Sequence, residues 1–123
     1  MEFDELSNKV IGCALEVHKN LGPGLLEIAY QQCLAYELTQ AGINFKMEVE
    51  IPVKYKSVNI DCGYRADILV EDKIIFELKS VEKLHPIHEA QILAYMKLSN
   101  ISIGFLMNFN VKLFKNGLKR FVL

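Results

Sequence analysis

Asp67, Glu77 and Lys79 stand in the stretch Tyr64–Ser80, YRADILVEDKIIFELKS, where Val, Ile, Leu and Phe alternate with polar residues on either side of Glu71-Asp72-Lys73. The alternation predicts two strands joined by a tight turn. With those three residues as the loop, Val70 faces Ile74 and Asp67 faces Glu77, and directly opposed side chains lie ~5 Å apart at Cβ. Period two puts Lys79 on the face of Asp67 and Glu77, and Ala66, Ile68, Phe76 and Leu78 on the other. Two carboxylates this close repel, and one tends to hold a proton unless a cation lies between them. Oxygen ligands on a rigid strand pair suit a hard divalent ion such as Mg²⁺. The alternative is a cross-strand salt bridge, with Lys79 neutralising Glu77 or Asp67.

The elements that must position these groups can be read from the periodicity. Phe3 to Asn20 fits an amphipathic helix with Phe3, Leu6, Val10, Cys13, Ala14 and Val17 on one face, stopped by Gly22-Pro23-Gly24. His18, one turn before that stop, reads as a helix-end or interface residue. A second helix runs from about Gly24 or Leu25 to Gln40, with Gly42 as its cap and Leu26, Ala29, Cys33 and Leu34 in its buried stripe. Glu27 and Tyr30, three apart, share a face near its start. The helix dipole alone favours Glu27 there; the functional alternative is that Glu27 reaches the acidic patch with Tyr30 beside it. Phe45 to Ile51 alternates as a strand, Val53 to Ser57 continues extended, and Asn59 to Gly63 holds turn formers, so a meander of antiparallel strands leads into the central hairpin.

Pro86 opens a third helix to about Leu98 or Ser99, with Ile87, Ala90, Leu93, Ala94 and Leu98 as its apolar side. His88, Gln91 and Tyr95 form a polar stripe, either an exposed flank or a site in which Gln91 bonds a ligand or metal-bound water and Tyr95 supports it. His85 and His88 are candidate phosphate contacts. Ile101 to Asn108 is apolar enough to be buried on both faces, which makes strand, helix and strand a right-handed βαβ unit with a parallel pair. Val111–Phe114 and Leu118–Leu123, around Asn116-Gly117, predict a terminal hairpin.

The 123 residues suggest one domain over 1–123, and 51% apolar content excludes a disordered chain. The opening MEFDELS is acidic and lacks a signal-peptide pattern, and no apolar run approaches the ~20 residues of a bilayer span. Cys13, Cys33 and Cys62 form no CxxC pair and read as reduced cytoplasmic thiols. The net charge is −1, but residues 90–123 carry five basic side chains and no acidic one. That basic end suits local phosphate contact or a Lys-protected strand edge.

The ordered blocks GLLEIAY (Gly24-x-x-Glu27-x-x-Tyr30), YRADILV, FELKS, HEAQILAYM, GFLMNF and KRFVL resemble, over nearly the whole chain, the GxxExxY family of the PD-(D/E)XK nuclease superfamily. One departure is Ala66, where the superfamily name has Pro before the Asp. The resemblance implies an α/β fold with a restriction-endonuclease-like core: a mixed sheet, antiparallel meander plus one parallel strand, flanked by helices. It implies hydrolysis of phosphodiester bonds in DNA or RNA with Mg²⁺ or Mn²⁺ held by Asp67, Glu77 and the Leu78 carbonyl, and by Glu27 directly or through water. Lys79 would orient the attacking water or stabilise the transition state, and Gln91 would position the water or a phosphate oxygen. Tyr30, Tyr95 and Arg65 would support them. An alternative is an inactive nuclease-fold module that binds nucleic acid or protein, which the near-neutral charge favours. The weakest reading is a structural protein with ion-paired strand faces. An edge strand and small size are compatible with a homodimer.

Overall fold

Asp4 starts the first helix, α1 (Glu5–Leu21), by accepting bonds from the Ser7 N–H at 2.9 Å and the Ser7 hydroxyl at 2.7 Å. Those bonds hold the Asp4 carboxyl below its ordinary range. The structure, a computed structural model, describes residues 3–123; Met1 and Glu2, the first of the acidic opening segment, lie outside the described residues. Phe3 precedes the helix instead of joining it and lies edge-on to Phe105 at 5.3 Å. Val10, Ile11, Ala14 and Val17 form the buried face of α1.

Helix α2 (Glu27–Gln40) begins later than the periodicity predicts, because the preceding loop is tied elsewhere: the Gly24 N–H bonds the Asn110 side chain at 3.0 Å. Its buried residues are Tyr30, Gln31, Leu34 and Leu38, and Leu26 is exposed, so the stripe is turned relative to the expected one. The helix ends in a Schellman motif. The Ile43 N–H bonds the Leu38 carbonyl, the Gly42 N–H bonds that of Thr39, and Gly42 takes φ +71°.

The remaining elements are β1 (Phe45–Glu50), β2 (Val53–Tyr55), β3 (Val58–Ile60), β4 (Arg65–Val70), β5 (Ile74–Lys79), α3 (Pro86–Ser99), β6 (Ile103–Asn108) and β7 (Leu118–Val122). The main sheet has the order β1-β4-β5-β6-β7. Only β5 and β6 are parallel, joined through α3; the other neighbours are antiparallel. This is the expected α/β fold. One core cluster joins α1 and α2 to Ile68, Phe76 and Phe105. A second joins α3 to Ile75 and Leu106, so β5 and β6 are covered on both faces. That double burial explains their nearly unbroken apolar runs.

Three expectations are corrected. The chain from Val53 to Ile60 does not continue the meander; β2 and β3 form a separate small hairpin, turned at Lys56 and Ser57, both at positive φ. Val111–Phe114 is not a strand. Phe114 is buried against Phe109, residues Phe114–Gly117 form a 3₁₀ turn, and β7 pairs with β6. The third correction is a rotation of α3, whose buried residues are Ile92, Tyr95 and Met96: Leu93 and Leu98 pack partly against the core as expected, whereas Ile87, Ala90 and Ala94 face outward. Gly104 sets that rotation: a Cβ there would lie 2.6 Å from the Met96 sulfur and 3.1 Å from Ile92, so the bare backbone is the seat for both side chains.

The glycines differ in what they tolerate. A Cβ on Gly117 would stand 2.1 Å from the Asn108 carbonyl oxygen, which is backbone and cannot turn aside. Gly117→Ala should cost about 3 kcal/mol or more of unfolding free energy. Gly104→Ala meets the flexible end of Met96 and should cost less, about 1–2 kcal/mol. Urea denaturation of the two variants checks the order; equal losses would refute it.

Candidate active site

The backbone ladder between β4 and β5 runs from Val70↔Ile74 to Ile68↔Phe76, so Asp67 and Glu77 are next in register. The turn that sets this register is a tight one, with Glu71 and Asp72 at positive φ and the Lys73 N–H bonded to the Val70 carbonyl at 2.9 Å. Beyond Phe76 a side chain replaces the ladder: Asp67 Oδ2 accepts from the Leu78 N–H at 2.8 Å. Glu77 is 3% exposed, and its Oε1 has no hydrogen-bond partner. Burial, the hydrogen bond to Asp67 and the Asp67 charge together push the Glu77 carboxyl from its ordinary 4.5 up to about 10, against the opposing charge of Lys79. The metal-free pair therefore shares a proton.

Lys79 does not close a salt bridge with either carboxylate. The ion pairs among the described residues are Lys9–Glu5, Lys46–Asp72, Arg65–Asp61 and Lys119–Glu89. The Lys79 ammonium instead donates to Gln91 Oε1 at 3.4 Å, and Gln91 Nε2 donates to the Tyr95 hydroxyl at 3.0 Å. The Tyr95 phenol is pushed up by burial and by the Glu77 charge, so it stays protonated. Lys79 is held from behind by its own carbonyl, which accepts from the Phe109 N–H, and by buried Asn108, whose amide brackets Val81 with bonds of 2.9 and 3.1 Å.

Glu27 opens α2 and is exposed. Its charge acts on His88, as does that of Lys79. Ser80 ties the end of β5 to the loop before Glu27 by donating to the Leu25 carbonyl. Among the described residues, however, no three His, Cys, Asp or Glu side chains converge to hold a metal, so Glu27 does not join Asp67 and Glu77 directly. Tyr30 is not beside Glu27 in the patch. It is fully buried, stacked on Phe109 at 4.7 Å, and its hydroxyl donates to the Gly22 carbonyl and accepts from the Leu25 N–H, so it shapes the loop that delivers Glu27. Arg65 is turned to Asp61 and the Tyr64 carbonyl. His88 Nδ1 accepts from the His85 N–H at 3.0 Å, which leaves Nε2 to carry the proton of the neutral ring. Burial first, then Lys79 and His85, lower the His88 pKa and favour that neutral form. His18 bonds the Val111 carbonyl at 2.7 Å, a helix-end role.

Two residues at the site escape a reading of the sequence. Gln31 is 7% exposed and donates from one amide nitrogen to the Asp67 carbonyl at 3.1 Å and to Glu48 Oε2 at 3.2 Å. Glu48 is the residue opposite Asp67, and its φ is +52°, a strained value for a non-glycine residue. Met47 and Ile68 pack on the α1–α2 side, but the next pair, Val49 and Ala66, packs on the α3 side. The strand pair thus rolls over at Glu48 and Asp67, and the Gln31 amide stands where a regular ladder bond would. That roll is why Ala66 departs from the face of Ile68. Gln31 lies one turn after Glu27 on the same helix face, so it fixes the helix of Glu27 to the strand of Asp67. The available signal was a polar residue in register with Leu34 and Leu38 on the buried stripe.

The Glu77 shift has a direct consequence for stability. A carboxyl raised on folding binds more protons in the native than in the unfolded state, so its contribution is complete below about 4.5 and is lost as pH rises toward about 10. In a chelator, the melting temperature of the wild type should fall between pH 5 and pH 9 more steeply than that of Glu77→Gln. Parallel melting curves against pH for the two proteins would overturn this assignment.

The donor set agrees with comparison to known families. The family model described as PD-(D/E)XK nuclease superfamily matches residues 4–121. No curated protein matches the chain. With the Asp67/Glu77 pair on adjacent strands, Lys79 two residues on, and a match spanning nearly every element, this chain belongs to the PD-(D/E)XK nuclease superfamily.

Proposed function

We propose that this chain is a divalent-metal-dependent nuclease of the GxxExxY type, a single domain that hydrolyses phosphodiester bonds in nucleic acid. The observation that carries the reading is the partnerless, buried Oε1 of Glu77 beside Asp67. A buried anionic oxygen without a donor is costly, and a cation in place of the shared proton removes that cost. Mg²⁺ is commonly held by one or two carboxylates together with water and substrate phosphate, so a two-carboxylate site suits it, and Mn²⁺ can take its place. Asp67, Glu77 and the Leu78 carbonyl are the proposed ligands, with Glu27 acting through water. The bound cation supplies charge neutralisation at the phosphate and a lowered pKa for its water.

The chain's own groups do the rest. The Lys79 ammonium faces the developing negative charge or the attacking water, and Gln91 holds it in place from the Tyr95 anchor. Water adds to phosphorus and gives up a proton to solvent, the bond to the leaving oxygen breaks with that oxygen taking a proton from solvent, and the Lys79 charge is retained throughout. Glu48 and Gln31 keep the Asp67 backbone at a set distance from α2. Cys13, Cys33 and Cys62 are free thiols, in keeping with a cytoplasmic setting. Among the described residues no helix is long and apolar enough to cross a membrane.

One observation favours a second reading, a nuclease-fold adaptor that binds without turnover. The net charge is −1, and two of the basic residues near the C-terminus are already engaged, Lys119 with Glu89 at 2.8 Å and Arg120 over the Phe3 ring. A free nuclease on duplex usually carries a broader basic cleft.

Titration calorimetry of Mg²⁺ and Mn²⁺, followed by cleavage of plasmid and single-stranded substrates, separates the two. Asp67→Ala should lose both metal binding and cleavage while keeping a cooperative melt. Lys79→Ala should retain metal binding and lose turnover by about 10²-fold or more. Gln31→Met, which removes the tie to Asp67, should weaken metal binding about 10–100-fold. Full activity in Asp67→Ala would sink the assignment, and metal binding without cleavage in the wild type would leave the adaptor.

A further inference from the structure

Part of the α3 face that the sequence pattern assigns to the core is outside: Leu93 and Leu98 pack against the second core cluster, but Ile87, Ala90 and Ala94 are exposed. Ile87 is 70% exposed, and Ile87, Ala90, Ala94 and Leu98 recur along one side of the helix. With Tyr64, itself 44% exposed, they line a groove of about 520 Å³, in the size range of small-molecule and base pockets. Gln91 and Tyr95 form its wall, and these are the residues that hold Lys79. The Tyr64 ring lies 5.8 Å from that of Tyr95 at a tilt of 48°. The groove is therefore continuous with the catalytic groups, and a nucleotide next to a phosphate at Lys79 lies against it.

We infer that this groove seats an unpaired nucleobase, and that the site acts on a single strand. The inference rests on the nuclease reading above. The groove's lining holds no Lys, Arg, Asp or Glu, and its one imidazole, His88, is driven toward the neutral form. Such a surface offers no fixed positive charge to a phosphate and much to the flat face of a base. Tyr64 supplies an exposed aromatic ring for stacking, while the Ala90 and Ala94 methyls leave room beside the helix. In a duplex the base faces are stacked inside, and binding relies on phosphate charge, which a protein of net charge −1 provides poorly. The amide of Gln91, the Tyr95 hydroxyl and His88 Nε2 border the groove with hydrogen-bonding groups for a base edge.

The test is fluorescence anisotropy in Ca²⁺ with labelled oligothymidylate, oligouridylate and a blunt duplex of equal length. Wild type should bind one or both single strands at least tenfold tighter than the duplex. Tyr64→Ala should weaken single-strand binding about tenfold, Tyr64→Phe should restore it, and Ala94→Glu, at an exposed helix position, should also weaken it. Metal binding should be unchanged in Tyr64→Ala, which separates this groove from the metal site. If wild type binds no nucleic acid, the nuclease reading itself falls. If the duplex binds as tightly, or Tyr64→Ala matches wild type, the nuclease reading stands and the single-strand inference is overturned. Sedimentation showing a dimer disrupted by Ala94→Glu would also overturn it, because the groove would then be occupied by a second copy.

Discussion

Two carboxylates placed side by side on adjacent strands, one of them almost wholly buried, are the constraint on which the rest of this structure turns. Asp67 can direct one oxygen to the Leu78 N–H because the β4–β5 ladder has run out at that point. Glu77 has no such outlet for its Oε1, and the carboxyl keeps a proton beside Asp67. An arrangement of this kind raises the energy of the ionised, metal-free state, and the fold must supply enough apolar burial elsewhere to tolerate it. It does so through the double-sided packing of β5 and β6, whose buried residues fall in both core clusters.

The supports around the pair are polar residues that do not look functional in sequence. Asn108 brackets Val81, Ser80 holds the loop before Glu27, and Tyr30 uses its hydroxyl to close the Gly22–Leu25 turn. Gln31 reaches from α2 into the gap between β1 and β4. These bonds tie α2 and the loops beside it to the strands, so the geometry of the charged groups depends on how α2 and those loops pack against the sheet. The strained φ of Glu48 belongs to the same design, since it opens the ladder where the Gln31 amide enters.

Helix α3 divides its duties by face. One side anchors the core through Ile92 and Met96 over Gly104; the edge beside it carries Gln91 and Tyr95 to Lys79; and the outer side leaves an apolar strip next to the reacting groups. Alanine at two of the outer positions puts apolar residues on opposite sides of the helix, and such a pattern has a weak amphipathic phase. The backbone of Gly104, a residue on another element, decides which side faces inward.

Much of the fold was legible in the sequence because its signals are local. The strand period on either side of Glu71-Asp72-Lys73 determines that Val70 meets Ile74, and hence that Asp67 and Glu77 are neighbours. Pro86, Gly42 and the apolar run Gly104–Met107 likewise mark a helix start, a helix end and a buried parallel strand by backbone and hydration preferences of the residues themselves. The tertiary structure alone decided the features that depend on partners distant in the chain: the burial of Tyr30 on Phe109, the turn of Lys79 toward Gln91 instead of the carboxylates, the Gln31 tie to Asp67, and the pairing of β7 with β6. In each of these a side chain or strand has several chemically acceptable partners, and only the packed sheet and helices determine which one lies within reach.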